Sequence, residues 1–131
     1  MAYPVLYTHL YNGYRWMSTQ EKTQIIFHCS VKMISRSKGR SATAAAAYRS
    51  SERIEDERTG LVHDYQNKRG VIYKELRFPE GTEFEGTRAD IWNTIEQRET
   101  RKNSSVAREI EVALPCDLAP EKRHELVLQF T

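Results

Sequence analysis

The stretch GRSATAAAAYRSSERI, residues 39–54, predicts the helix around which the rest of the chain is organised. Ser41 suits the N-cap position, because its side-chain oxygen can accept a hydrogen bond from a backbone N–H of the first turn. The alanines that follow have the highest helix propensity of any residue. Gly60 lies just past the end of the pattern, so we predict a helix from about Ser41 to Glu57. A single tyrosine, Tyr48, stands among the alanines, arginines and serines of this stretch.

Positive charge is concentrated around this helix. Residues 25–54 contain six basic residues and one acid, which gives +5 in a chain whose formal net charge is +2, and leaves −3 elsewhere. The basic residues are Lys32, Arg36, Lys38, Arg40, Arg49 and Arg53. A local field of this kind favours a polyanion such as nucleic acid, although a solvated basic loop has the same composition.

Alternation of apolar and polar residues predicts four strands in the rest of the chain. They are IIFHCSVKMI (25–34), LVHDYQ (61–66), VIYKELRFP (71–79) and SVAREIEVALP (105–115). We expect the second and third of these strands to be joined by the turn NKRG, residues 67–70. The segment SRSKGR, residues 35–40, is interpreted as a flexible basic loop.

Two further helices are predicted from their start signals. Thr87 and Asp90 form a variant of the capping box before a helix from about Arg88 to Arg101. Its predicted apolar side consists of Ile91, Trp92 and Ile95. Pro120 suits the first turn of the last helix. The predicted inner side of that helix consists of Leu126, Val127 and Phe130.

The element order β-α-β-β-α-β-α predicts an α+β domain with a mostly antiparallel sheet flanked by helices. Residues 1–24 are rich in Tyr and show no sustained period, so we interpret them as an irregular leader before a domain of residues 25–131. Because the sequence ends inside the last predicted helix, we expect the domain to be incomplete.

Membrane and secretory classes are not indicated by the sequence. No apolar run approaches the roughly 18 residues that a membrane span needs, and the start has no signal-peptide pattern. Cys29 and Cys116 form no C-x-x-C motif and are interpreted as reduced thiols. We therefore predict a cytoplasmic protein without a membrane partner.

Four blocks of the sequence closely resemble the N-terminal part of MobA/MobL-type relaxases, a family that includes TraA-like conjugation proteins. The blocks are FHCSVKMISRSKGRSATAAAAYRSSERIEDERTG (27–60), HDYQNKRGV (63–71), ELRFPEG (75–81) and RKNSSVAREIEVALP (101–115). The resemblance covers residues 25–131, with the blocks in the family's order. It implies an antiparallel sheet flanked by helices, and an enzyme that nicks one DNA strand at an origin of transfer through a tyrosine.

The resemblance also implies which residues carry the chemistry. Tyr48, in the alanine-rich helix, corresponds to the nucleophile, and Glu109 is the first choice for the acidic residue near the metal, followed by Glu111. Full-length members use a divalent metal, Mn²⁺ or Mg²⁺, held by an H-x-H segment. This chain has only His9, His28, His63 and His124 and no H-x-H. No metal ligand is therefore assigned, and we expect this chain not to bind the metal.

The residues themselves suggest how DNA would be held. Arg49 and Arg53 are four apart and would share a face of the predicted helix, where a phosphate could lie between them. Lys38 and Arg40 precede the helix N-terminus, which is itself favourable for an anion. The alternative for Tyr48 is an aromatic side chain half-buried against Ile54 or the sheet.

Alternation along the last strand places Glu109 and Glu111 on one face of the sheet; the alternative is a solvated polar face. Our first hypothesis is a relaxase domain that is truncated and inactive alone, because its metal ligands are missing. Its predicted partners are single-stranded DNA at an origin of transfer and other relaxosome proteins. The alternatives are a non-enzymatic single-stranded DNA-binding accessory module and a degenerate gene remnant.

Overall fold

A computed structural model describes residues 8–10, 29–114 and 118–130. The described strands are β1 (Thr8–Leu10), β2 (Cys29–Ser35), β3 (Arg53–Glu55), β4 (Val62–Asp64), β5 (Val71–Lys74) and β6 (Ser105–Val112). The described helices are α1 (Ala42–Ser50), α2 (Arg88–Arg98) and α3 (Pro120–Phe130), with a 3-10 turn over Arg36–Lys38. The α+β class predicted from the sequence is confirmed.

The described strands form three pairs. β1 pairs antiparallel with β5, β3 pairs antiparallel with β4, and β2 pairs with β6. Two expectations are thereby corrected. β4 and β5 follow one another along the chain but belong to different sheets, and Thr8–Leu10 forms a strand inside the segment that we interpreted as irregular. The boundary of the leader at residue 24 stays a prediction.

The chain divides into two compact units, one of residues 1–12 and 32–109 and the other of residues 13–31 and 110–131. In the second unit, α3 begins at Pro120 as predicted. Leu126 is 42% exposed, so its predicted place on the inner side of α3 is wrong. The side chain of Phe130 lies outside the described residues, as do His28 and Cys116.

Helix α1 begins as predicted and ends earlier than predicted. The Ser41 hydroxyl accepts a hydrogen bond from the Ala44 N–H at 3.1 Å. At the other end Ser51 takes a left-handed backbone conformation, with φ at 53°, and its N–H donates to the Ala47 carbonyl. The chain then enters β3, in which Ile54 is 1% exposed. Burial of Ile54 and pairing with β4 outweigh the helix propensity of residues 51–57.

The alanines of α1 form the centre of the core. Ala42, Ala46 and Ala47 are fully buried, and they pack in one cluster with Ile34, Ile54, Trp92, Val106 and Ala107. Since an alanine side chain is a single methyl group, α1 can lie close to its neighbours without a void. The alanine run therefore has a packing role as well as high helix propensity. The predicted apolar side of α2 is also confirmed, with Ile91 5% and Trp92 2% exposed.

A buried carboxylate, Glu96 of α2, connects the 3-10 turn to the start of α1. It is fully buried and accepts hydrogen bonds from Arg36 Nη2 at 2.7 Å and from the Ala42 N–H at 2.5 Å. The Arg36 side chain is only 8% exposed in this ion pair. The predicted flexible basic loop is thus an ordered turn, and the charge of Arg36 is neutralised inside the protein.

A second buried carboxylate, Asp56, closes the turn between β3 and β4. It accepts hydrogen bonds from the Thr43 hydroxyl at 2.7 Å and from the N–H groups of Arg58 and Thr59 at 3.0 and 3.1 Å. Burial alone raises the pKa of Asp56, but these hydrogen bonds and the charge of Arg58 outweigh it. The net effect lowers its pKa below the ordinary 3.8.

Asp56→Asn is expected to lower the free energy of unfolding at pH 7 by about 1–3 kcal/mol, because the ionised side chain is the better acceptor for its three donors. A lowered folded-state pKa stabilises the protein above the unfolded pKa, and this contribution is lost as pH falls through the folded value. Urea unfolding of the wild type and of Asp56→Asn should therefore show a difference in the free energy of unfolding that narrows below about pH 4.

The exposed Glu80→Gln serves as the control and should behave as the wild type at every pH. An Asp56→Asn protein as stable as the wild type at pH 7 would contradict the assignment.

Candidate nucleic-acid site around Tyr48

The first unit contains a groove of about 1040 Å³. The exposed side of α1, the turn after β2, the connection from β3 to β4 and the end of α2 all contribute to its wall. Its lining includes Arg40, Tyr48, Arg58, His63, Glu96 and Glu109. Charges of both signs line it, so the groove is not the uniformly basic surface that the composition of residues 25–54 suggested.

Tyr48 lies in the last turn of α1 and is 43% exposed. Its ring meets the ring of Tyr65 edge to face, with the centroids 5.2 Å apart and the planes at 88°. This contact orients the ring while a large part of the side chain stays accessible from the groove. The alternative that we gave for Tyr48, an aromatic side chain half-buried against Ile54 or the sheet, stays open.

Two cations flank the Tyr48 ring. Lys68 Nζ lies 4.5 Å from the ring centroid, and the Arg49 guanidinium carbon lies 5.5 Å from it. Both distances fall in the range of cation–π attraction. Lys68 was not among the predicted site residues, because 20 residues of sequence separate it from Tyr48 and it stood in a segment interpreted only as a turn.

Glu109 of β6 pairs with Arg49 of α1. Arg49 Nε donates to Glu109 Oε2 at 3.0 Å, and Arg49 Nη2 donates to the other carboxylate oxygen. The two side chains are 18% and 19% exposed, so this bidentate ion pair is partly shielded from water. Three residues predicted for the site, Tyr48, Arg49 and Glu109, are therefore neighbours in the structure.

The other predicted site residues lie elsewhere. Glu111 follows Glu109 in β6, and the groove lining includes Glu109 but not Glu111. Arg40 lines the groove, and Lys38 is exposed at the end of the 3-10 turn. Arg53 lies in β3 opposite Asp64. It is not in α1, so the helix face that we predicted it to share with Arg49 does not exist.

The described residues offer few donors for the metal that the resemblance implies. Within residues 29–114 and 118–130, no three His, Cys, Asp or Glu side chains are grouped so that they could hold a metal ion. His63 is half-buried and lines the groove. Glu109 is held by Arg49. The described donors do not fit the H-x-H metal site that the resemblance implies.

A solved structure described as the molecular basis of vancomycin resistance transfer in Staphylococcus aureus has the same fold. The TM-score is 0.75 with 37% identity, over 80% of this chain and 54% of that chain. The fold thus defines a relaxase-like α+β domain. The family model of MobA/MobL matches residues 40–131. The chain belongs to the MobA/MobL family.

Curated relatives carry the names of mobilization and conjugal transfer proteins. The chain is 50% identical to mobilization protein MobL of Acidithiobacillus ferridurans over 80% of this chain and 27% of the relative. It is 37% identical to a probable mobilization protein MobA of Bifidobacterium longum, over 75% and 18%. It is 32% identical to conjugal transfer protein TraA of Rhizobium radiobacter, over 80% and 10%. The chain therefore spans about a quarter or less of these relatives.

Proposed function

We propose that this chain is the tyrosine-bearing part of a conjugative relaxase, which attacks one phosphodiester of single-stranded DNA at an origin of transfer. The observation that carries the proposal is Tyr48, 43% exposed at a groove and flanked by two cations. The printed names of the relatives, mobilization and conjugal transfer proteins, support the same reading.

The proposed step is a transesterification. The phenolic oxygen of Tyr48 attacks the phosphorus, the new O–P bond forms, and the bond from phosphorus to the 3′ oxygen breaks. The 5′ phosphate at the nick stays joined to Tyr48, and the departing 3′ oxygen takes up a proton from the solvent, to which the phenol has lost its own, and becomes a free 3′ hydroxyl. The phosphotyrosine conserves the energy of the phosphodiester, so rejoining by the reverse step is available.

Arg49 and Glu109 have different roles in this proposal. Both Glu109 oxygens accept hydrogen bonds from Arg49, so the carboxylate is engaged and is not a free base. Glu109 is best described as a positioning residue that holds the guanidinium beside Tyr48. Arg40 in the groove and exposed Lys38 are proposed to contact the DNA backbone on either side of the nick.

The cellular setting is proposed on the same basis. The described part of the chain contains no helix with the length and apolarity of a membrane span. We propose a cytoplasmic protein that acts on single-stranded DNA together with other relaxosome proteins. Because phosphate contacts dominate such complexes, affinity for the DNA is expected to fall steeply with salt.

The test compares two single strands of the cognate origin, one natural and one with sulfur replacing the bridging 3′ oxygen at the nick. A thiolate leaves more readily than an alkoxide, so the sulfur strand needs less help from other groups. In EDTA the chain should bind both strands and form a covalent adduct with the sulfur strand. Trypsin cleaves after Arg40 and Arg49, so mass spectrometry should find the DNA phosphate on peptide 41–49.

A second candidate function is a non-enzymatic DNA-binding module. The engaged carboxylate of Glu109 and the lack of a grouped metal-donor set in the described residues favour it. Binding of both strands without any adduct would select this candidate. An adduct on a peptide other than 41–49 would be consistent with the nuclease assignment but would overturn the choice of Tyr48 as the nucleophile.

A further inference from the structure

Lys68 is a half-buried cation without a carboxylate partner in the described structure. Its Nζ is buried and makes no hydrogen bond within the described residues. The Lys68 N–H donates to the Tyr65 carbonyl at 2.9 Å, which fixes the turn that carries the side chain. The ammonium group is thus held in place by the backbone and by the Tyr48 ring, 4.5 Å from Nζ.

Other shielded cations of the first unit are neutralised. Arg36 pairs with Glu96, Arg49 with Glu109 and Arg88 with Glu52. Among the residues described there, Lys68 differs from them, because the charge that lowers its pKa is that of Arg49, which has the same sign. Holding a partly desolvated cation next to another cation costs free energy. A bound anion would remove that cost.

We propose that Lys68 binds the phosphodiester that Tyr48 attacks, and so is a further substrate-contacting residue of this site. The inference rests on the proposed function for the identity of the anion, a phosphodiester of single-stranded DNA. Nζ lies 4.5 Å from the centroid of the Tyr48 ring and is itself buried, so the Lys68 side chain has to turn outward to meet an anion at the exposed side of that ring. The Arg49 guanidinium, paired with Glu109, lies 5.5 Å from the centroid of that ring.

The protonation of Lys68 gives the inference a second readout. Burial, and then the charge of Arg49, lower the pKa of Lys68 below the ordinary 10.5. Lys68 lies over the Tyr48 ring and senses the charge of Arg49; Tyr65 contacts Tyr48, and Glu109 of β6 pairs with Arg49. A bound phosphate favours the charged form, so binding should be coupled to proton uptake, and affinity should fall as pH rises toward the lysine range.

The test measures binding of a fluorescein-labelled single strand of the cognate origin by anisotropy. It uses the Tyr48→Phe background, in which no joining can occur. Lys68→Met should weaken binding about tenfold at pH 7 and reduce the salt slope by about 0.7. Lys68→Arg should bind as tightly as Lys68 at pH 7. The affinity of Lys68→Arg should also stay constant up to pH 9.5, where that of Lys68 declines, because a guanidinium keeps its proton.

Arg69→Met is the matched control, since it removes one positive charge from the exposed neighbouring position and should cost less than threefold. Lys68→Met should leave urea stability unchanged or raised, because it replaces an unpaired cation with an apolar chain. The inference is overturned if Lys68→Met binds as the parent does, if Arg69→Met has the same effect, or if Lys68→Met loses stability. If Lys68→Met weakens binding as expected but the chain with Tyr48 forms no adduct with the sulfur strand, only the proposed joining reaction is overturned.

Discussion

Replacing Tyr48 with phenylalanine is expected to abolish covalent joining to the sulfur-containing origin strand while leaving binding of that strand within about twofold. The substitution removes one hydroxyl group, which is the proposed nucleophile. It keeps the ring, so the edge-to-face contact with Tyr65 and the contact with Lys68 persist. Loss of a nucleophile lowers the rate of covalent catalysis by orders of magnitude, and we expect at least about a thousandfold here.

The measurement is the yield of protein–DNA adduct on a denaturing gel over time, beside binding isotherms of the same preparations. Tyr65→Phe is the matched control, because it removes a hydroxyl from the ring that contacts Tyr48 at 5.2 Å. Tyr65→Phe should still form the adduct. An adduct that persists in Tyr48→Phe, or one that disappears equally in Tyr65→Phe, would refute Tyr48 as the nucleophile.

Local signals predicted the element starts well. The Ser41 cap, the capping box of Thr87 and Asp90 and Pro120 at the start of α3 are all confirmed. Each involves a side chain and a backbone group within about one helical turn, so the sequence alone contains the whole interaction. The predicted ends were less accurate, since α2 stops at Arg98 and not at Arg101.

Errors arose where distant residues decide the structure. Residues 51–57 continue a helical composition, but Ile54 is buried in β3 opposite His63 of β4. Nothing in the sequence of residues 51–57 indicates that they pair with β4. For the same reason the pairing of β5 with β1 was missed, and Arg53 was assigned to the wrong element.

The candidate site was predicted in part. The family resemblance indicated Tyr48 and Glu109, and both line the groove. The ion pair between Arg49 and Glu109 spans 60 residues of sequence, and no spacing rule connects them. Arg36 was counted among the six basic residues of the positively charged stretch 25–54, because composition cannot show that Glu96 neutralises it. Lys68 was missed because its environment, not its residue type, distinguishes it from the exposed Arg69.

Glu96→Ala is expected to lower the free energy of unfolding by about 3–5 kcal/mol, out of the roughly 5–15 kcal/mol typical of a domain. Glu96 is fully buried. Its removal leaves the Arg36 guanidinium, 8% exposed, without its charge partner and the Ala42 N–H without its acceptor. Because Ala42 is the first residue of α1, the start of the helix that carries Tyr48 also loses a favourable negative charge.

Urea unfolding, monitored by circular dichroism, gives the free energy of unfolding. A single cooperative transition in the wild type would also argue against the alternative of an unfolded gene remnant. Gln97→Ala changes the next, exposed residue of α2 and should cost less than about 1 kcal/mol. Arg36→Met added to Glu96→Ala should recover part of the loss, because it removes the stranded charge. If Glu96→Ala unfolds at the same urea concentration as Gln97→Ala, the buried carboxylate does not anchor α1.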